Sequence, residues 1–113
     1  MSDMSADAAT PPANVYEGNG QLSVAVPIPG AHGDHTEIVV TPDRLRVTAE
    51  NKYPQDEQHY HRRDWTVGTW RLDLELPRRV DPRRAKATLH YGVLMVMAPI
   101  SDQGSGESRP RII

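Results

Sequence analysis

The sequence predicts an all-β domain built as a sandwich of two sheets. Apolar residues recur at every second position in several short runs, which is the pattern of strands that bury one face. Ten prolines and eight glycines interrupt the 113 residues too often for long helices, and no amphipathic helical period stands out. About seven short strands without helices are typical of a two-sheet sandwich.

The alternation defines each strand in turn. In the first clear strand every second residue from Leu22 to Ile28 is apolar, and Pro29–Gly30 ends it. Pro42–Asp43 marks a hairpin between the next two strands, and Pro99 stops the last one. The predicted strands cover residues 21–28, 36–41, 44–50, 60–66, 69–76, 87–90 and 92–98.

The length allows one such domain, over residues 14–100, with a tail at each end. Residues 1–13 are small and polar and end near Pro11–Pro12, so we expect a disordered N-terminal arm. Residues 101–113 begin with small polar residues and end in Ile112–Ile113. This composition predicts a flexible C-terminal extension with an apolar tip.

Composition and motifs exclude several classes of protein. The chain has no cysteine, so it has no disulfide framework, thiol nucleophile or thiolate metal site. It has no nucleophile elbow, His-Glu-x-x-His pair or phosphate-binding glycine loop, and we expect no enzymatic activity. No signal-peptide pattern occurs near Met1, and no apolar run approaches the roughly 18 residues of a membrane span. We therefore expect a cytoplasmic protein without a membrane partner.

The histidines allow a metal hypothesis. His59 and His61 would share one face of a strand and make half of a metal site, and His32 and His35 form a second close pair. The sequence positions no third ligand, so we favour solvated histidines and expect no metal or other cofactor.

Charge is divided unevenly along the chain. The net charge is -2, with about -6 over residues 1–60 and about +4 over residues 61–113. The sharpest feature is the stretch 78–86, with five cations and one anion. Few aromatic residues accompany these cations, so we favour a solvated loop or a dimer contact to the acidic half and expect no nucleic-acid partner.

Six pieces of sequence occur in an order and at a spacing that resemble the α-crystallin domain of the small heat-shock proteins, over about residues 14–99. The stretch 87–94 matches the family's Ala-x-x-x-Asn-Gly-Val-Leu signature, with Tyr91 in place of Asn. The other pieces are Ile28-Pro29-Gly30 with Glu37-Ile38, Leu45 to Glu50, Tyr60 to Asp64, Gly68 to Pro77, and Val80-Asp81.

The resemblance implies an immunoglobulin-like sandwich that acts as an ATP-independent holdase and has no enzymatic activity. Such a chaperone binds partly unfolded proteins and suppresses their aggregation under stress. The expected partners are therefore non-native client proteins and further copies of the chain. One alternative stays open, a co-chaperone-like adaptor that uses the same sandwich to bind a folded protein.

A holdase needs apolar surface for its clients and must remain in solution when no client is bound. The groove between two sheets offers such a surface. For each candidate the simpler interpretation is a core position, since alternating apolar residues mostly face inward. The tip Ile112–Ile113 resembles part of the family's Ile-x-Ile anchor, which would fill such a groove in a neighbouring subunit; a frayed tail is the alternative. The candidate groove residues are Ile38, Val40, Leu72, Leu74 and Leu76.

The polar stretch 51–59 is long for a hairpin turn. In bacterial and plant relatives a loop here holds a strand that crosses to the partner and pairs with its first strand, so the resemblance implies a homodimer. A mobile surface loop is the alternative. With a short arm and a partial anchor, we expect dimers or small oligomers. The candidate interface residues are Val15, Tyr16, Tyr53, Tyr60, Arg62, Arg63 and Asp64.

Overall fold

The computed structural model describes residues 8–51, 58–62, 64 and 68–113, and its strands form two sheets of four. The strands are β1 (Ala8–Ala9), β2 (Asn14–Gly18), β3 (Gln21–Pro27), β4 (Ala31–Val40), β5 (Arg44–Asn51), β6 (Thr69–Glu75), β7 (Lys86–His90) and β8 (Val93–Pro99). The first sheet has the order β1-β6-β5-β4 and the second β2-β3-β8-β7. The predicted two-sheet, all-β fold is confirmed.

Two tight hairpins build the second sheet. Asn19 and Gly20 connect β2 to β3 with φ of 55° and 78°, and Tyr91 and Gly92 connect β7 to β8 with φ of 54° and 78°. Two consecutive positive φ values are the signature of the type I′ turn, whose twist matches that of the strands it joins.

The core lies between the sheets and follows the alternation of the sequence. In β3 the residues Leu22, Val24 and Val26 are buried, while the residues between them are half-buried on the outer face. Burying one such side chain contributes about 1.5–3 kcal/mol before ordering costs. The remaining buried apolar residues are Ile28, Ile38, Val40, Leu45, Val47, Ala49, Leu72, Val80, Ala87, Leu94, Val96 and Ala98.

The strands depart from the prediction in four places, of which two are β1, in the stretch expected to be a disordered arm, and β2, since neither was among the predicted strands. The other two concern β4 and the residues before β6. Strand β4 begins at Ala31 because Ala31 pairs with Asn51 before a register shift that ends at Thr36. Its first residues are polar and show no apolar period. The strand expected over residues 60–66 lies partly outside the described residues, and residues 60–62 and 64 form no strand. Strand β6 pairs with β5 and, at its start, with β1.

Helical structure in the described part of the chain is one 3-10 turn, Pro82–Arg84. The side chain of Asp81 caps this turn by accepting a hydrogen bond from the amide of Arg83 at 3.1 Å. Pro82 has no N–H to donate, and the first position of a helix does not require one. None of the helices that the structure describes has the length and apolar character needed to cross a membrane.

The C-terminal extension folds back onto the domain. Gly104 is buried because it lies directly on the backbone of Val80, where a Cβ atom would overlap the carbonyl oxygen. Arg79 fixes this contact by donating from Nη2 to the carbonyl of Gly104 at 2.9 Å. From here the chain runs towards the edges of both sheets.

Candidate functional site

The candidate site is the groove between β4, the last strand of the first sheet, and β7, the last strand of the second. The tail, residues 104–113, lies in this groove and bonds to both strands. Ser108 exchanges two backbone hydrogen bonds with Val40, each of 2.9 Å, and the amide of Ile113 donates to the carbonyl of Ala87 at 2.9 Å. The tail thereby satisfies backbone groups at both sheet edges.

The two isoleucines of the tip have different surroundings. Ile112 is half-buried, packs against the core and forms a parallel bridge with Ala87. Its Cδ1 atom lies 4.0 Å from the point where a Cβ of Gly33 would stand. Ile113 is 81% exposed. The groove therefore holds one isoleucine side chain and leaves the second in solvent.

A cleft remains open beside the seated isoleucine. It measures about 580 Å³ and lies between β4 and the tail residues 109–112, with Ile38 and Ile112 among its apolar walls. Glu37 and Arg109 line it from the two sides and form an ion pair across it, with Nη1 to Oε2 at 3.1 Å. The cleft is large enough for further apolar side chains beside Ile112.

The polar contacts that hold the tail are mostly exposed. Arg109 also reaches Glu107 at 3.5 Å, and the hydroxyl of Ser108 donates to the carbonyl of Pro82 at 2.5 Å. Exposed ion pairs typically contribute about 0–1 kcal/mol. The tail is thus held by a few backbone bonds, one apolar side chain and weak charge pairs. Contacts this weak allow the tail to leave the groove.

The structure separates the five predicted groove residues into two sets. Ile38 and Val40 lie on β4, beside the docked tail, and the structure brings Ile38 together with Ile112 at the cleft. Leu72 is buried at 8% exposure on β6, two strands away from β4, and Leu74 and Leu76 are half-buried against the same core. Burial alone does not separate the two sets, since Ile38 and Val40 are each 2% exposed and also belong to the core; what distinguishes them is their place on β4 beside the tail.

Sequence reasoning missed two groove residues, Ala87 and Gly33. Ala87 is fully buried and bridges to Ile112, and Gly33 lies beside the methyl groups of Ile112. Both are small and carry little apolar signal. The short strand over residues 87–90 was the available hint, but alternation does not reveal which strand lies at an edge.

Of the predicted dimer residues, Val15 and Tyr16 lie on β2, at the edge of the second sheet opposite β7, and Tyr60, Arg62 and Asp64 lie outside the strands. On the edge strand β2, Val15 is half-buried against the core and Tyr16 is 51% exposed. The hydroxyl of Tyr16 lies 3.5 Å from the sulfur of Met95. Arg62 pairs with Asp64 at 3.0 Å, and Tyr60 is half-buried. Tyr53 and Arg63 lie outside the described residues.

The resolved pKa shifts lie away from the groove, between β5 and β6. Arg44 on β5 donates to Asp73 on β6 at 2.6 Å, and this hydrogen bond lowers the pKa of the Asp73 carboxyl and raises the pKa of the Arg44 guanidinium. The histidine rings of His32 and His35 stand 5.7 Å apart. Within the described residues no group of three or more metal-ligating side chains occurs.

This sandwich, with its edge groove and docked tail, matches a known family. The sequence profile of the Hsp20/alpha crystallin family matches residues 14–113. The chain belongs to this family. Hsp20 membership confirms the resemblance stated from the sequence motifs, and it supports a general chaperone role.

One curated Hsp20 relative is the 22.7 kDa class IV heat shock protein of Pisum sativum, which is 35% identical over 74 residues. The match covers 63% of this chain and 38% of the pea protein, so the chain spans well under half of that relative.

Solved structures of small heat-shock proteins share the fold. Heat shock protein 16.0 from Schizosaccharomyces pombe superposes with a TM-score of 0.72 at 20% identity, covering 90% of this chain and 74% of that one. The hspA protein from Xanthomonas axonopodis gives 0.72 at 18% identity, covering 86% and 97%. The Xylella fastidiosa protein, described as having a distinct high order structure, gives 0.68 at 23% identity, covering 91% and 93%.

Proposed function

We propose that this Hsp20-family chain is an ATP-independent holdase of the cytoplasm that binds apolar segments of partly unfolded proteins in the groove between β4 and β7. The observation that carries the proposal is the tail itself. An extended segment of this chain already binds both strands through backbone hydrogen bonds and seats one apolar side chain, Ile112, beside an open cleft of about 580 Å³. A client segment in extended conformation offers the same two features.

The docked tail also explains how the protein avoids aggregation when no client occupies the groove. Exposed apolar surface and unpaired strand edges promote aggregation, and the tail covers part of both. Its few contacts make it displaceable by a client that buries more apolar area. Ile112 bridges to Ala87 of its own chain, and the filling of a neighbouring subunit's groove by the tip stays a prediction.

Light scattering by a heat-denatured model enzyme tests the proposal, measured with and without the full-length chain. We expect the chain to slow the rise of scattering at a ratio near one subunit per client. Equal rates of scattering with and without the chain would refute the holdase function.

Two tip variants test whether the groove performs the binding. Ile112→Asp places a charge at the half-buried position and releases the tail, so we expect stronger suppression of aggregation per subunit. Ile113→Asp makes the same change at an exposed position, so it should match the unmodified chain. Equal suppression of aggregation by both variants would mean that clients do not bind in this groove.

We further propose that the chain forms a homodimer through β2. Among the described residues this strand pairs on one side, with β3, and its other edge is available to a strand of a second copy. The test is the native mass by light scattering at several concentrations. A mass of two chains supports the proposal, and a mass of one chain at every concentration contradicts it.

A further inference from the structure

A second cleft lies on the outer face of the second sheet, away from the groove. It measures about 350 Å³ and forms where the start of β7 and the end of β8 meet the 3-10 turn. Lys86 pairs in register with Met97, and Gln21 pairs with Pro99, which places polar heads beside an apolar floor. We call this the basic cleft; its lining residues are Gln21, Arg83, Arg84, Ala85, Lys86, Met97 and Pro99.

The cations of the basic cleft stand apart from the ion pairs of the molecule. Among the described residues, those ion pairs include none with Arg83, Arg84 or Lys86. Asp81 is the acid nearest in sequence, and its carboxylate is engaged by the amide of Arg83 as the cap of the 3-10 turn. Three adjacent cations at an open surface repel one another, so an anionic ligand here gains attraction and relieves that repulsion.

A second copy of this chain is the weaker candidate for the anionic ligand. Five of the eleven acidic side chains of the described residues already pair with arginines of their own chain, so docking them into another copy would cost these pairs. The engaged acids are Glu17 with Arg78, Glu37 and Glu107 with Arg109, Asp64 with Arg62, and Asp73 with Arg44 and Arg46. This favours a different molecule as the ligand.

The floor of the basic cleft decides the class of that molecule. Met97 and Pro99 are half-buried and aliphatic, and the described side chains that line the cleft include no aromatic ring. Nucleic-acid strands bind by stacking bases on aromatic rings beside cations, and the cleft lacks this platform. A polypeptide with carboxylates next to aliphatic side chains matches both the cations and the floor.

We propose that the basic cleft binds acidic segments of non-native polypeptides, with carboxylates at Arg84 and Lys86 and an aliphatic side chain against Met97. The proposal rests on the holdase function and adds a preference among clients. It predicts that acidic flanks around an apolar segment strengthen capture, because the groove holds the apolar part and the basic cleft holds the charge.

Fluorescence anisotropy of short dye-labelled peptides tests this directly, with the full-length chain and no aggregating client. The probes are an alternating Glu-Leu peptide, its Lys-Leu counterpart, a Glu-Ser peptide and an oligothymidine strand. We expect the Glu-Leu peptide to bind most tightly, at least about tenfold above the Lys-Leu peptide at low salt, and to weaken as salt rises.

The variant R84Q/K86Q removes two cations and leaves Arg83, whose guanidinium lies beside Gly106 of the tail. We expect it to weaken Glu-Leu binding by about tenfold. The matched control is R71Q on the first sheet, another arginine without an ion pair in the described residues, which should change binding less than about twofold. Far-UV circular dichroism verifies that both variants are folded.

Three results would overturn the proposal: equal affinity for Glu-Leu and Lys-Leu peptides, equal loss in R84Q/K86Q and R71Q, or tight binding of oligothymidine alone. Failure of the holdase function is distinguishable. If the chain binds Glu-Leu peptide through Arg84 and Lys86 but does not slow client aggregation, the holdase function fails and the basic cleft stands as an acidic-peptide site. If R84Q/K86Q suppresses the aggregation of acidic and neutral clients equally well, the proposal for the basic cleft fails and the holdase function stands.

Discussion

The edge strands on the two long sides of the sandwich are paired differently. On one side β4 and β7 are joined by the tail, which satisfies backbone groups on both. On the other side β1 covers only the start of β6, and β2 pairs with β3 alone among the described residues. Binding on the covered side requires the tail to leave, whereas the open side presents its edge at all times. The proposed client binding and the proposed subunit pairing thus fall on opposite edges.

The largest test of this comparison is Gly104→Ala. A methyl group there would overlap the carbonyl of Val80, so the tail must leave its seat or the backbone must shift. We expect the free energy of unfolding to fall by about 1–3 kcal/mol and trypsin to cleave faster after Arg111. Thermal unfolding and limited proteolysis measure the two effects.

The matched control lies on the open side. In the described part of the chain, no atom beyond its immediate neighbours lies within 4 Å of the point where a Cβ of Gly18 on β2 would stand. Gly18→Ala should therefore alter stability by less than about 0.5 kcal/mol. Equal melting temperatures and cleavage rates for the two alanine variants would show that the tail does not close the covered side.

The hairpins at the two edges of the second sheet differ in the residue at the first positive-φ position of the turn. The open-edge hairpin uses Asn19 at its positive-φ position, and the covered-edge hairpin uses Tyr91, which is fully exposed. Asn tolerates the left-handed region and a bulky residue does not. We expect Tyr91→Asn to raise the free energy of unfolding by about 1 kcal/mol. Urea denaturation measures it.

Asn19→Tyr is the reverse change in the other hairpin, and it should lower the free energy of unfolding by a similar amount. If Tyr91→Asn were neutral or destabilising, Tyr91 would have to make a stabilising contact that its full exposure does not show.

The sequence predicted the strands of this molecule well because one physical signal dominates them. Alternation reports which side of a strand is buried, and β3 follows it residue by residue. In β8 the burial alternates although the sequence is apolar throughout, so its apolar run and Pro99 gave the prediction. The polar start of β4 carries no such signal, and its pairing with Asn51 depends on a register shift that only the folded sheet reveals.

The site was harder to predict, and the reasons are specific. Alternation marks Ile38 and Leu72 alike as inward-facing, although one lies on an edge strand and the other two strands away. The order of strands in a sheet is set by pairing across the chain, which no local pattern encodes. The tip Ile112–Ile113 was recognised as an apolar plug, but its sequence does not state whose groove it fills or which isoleucine enters.

The smallest expected effect concerns charge between β5 and β6. The hydrogen bond from Arg44 lowers the pKa of Asp73, so the pair stabilises the folded state fully above the ordinary aspartate pKa of about 3.9. This contribution is lost as the pH falls below that value through the lowered pKa of the folded protein. Both side chains are substantially exposed, so Asp73→Asn should lower the melting temperature by no more than about 2–4 °C at neutral pH.

The pH dependence separates this pair from a general charge effect. The difference in melting temperature between the unmodified chain and Asp73→Asn should be constant from neutral pH down to about pH 5 and shrink below about pH 4. Asp102→Asn removes an exposed carboxylate with no ion pair in the described residues and should give a difference near zero throughout. A difference for Asp73→Asn that grows as the pH falls would reverse the sign of the linkage, and would mean that Arg44 does not favour the ionised carboxylate in the folded protein.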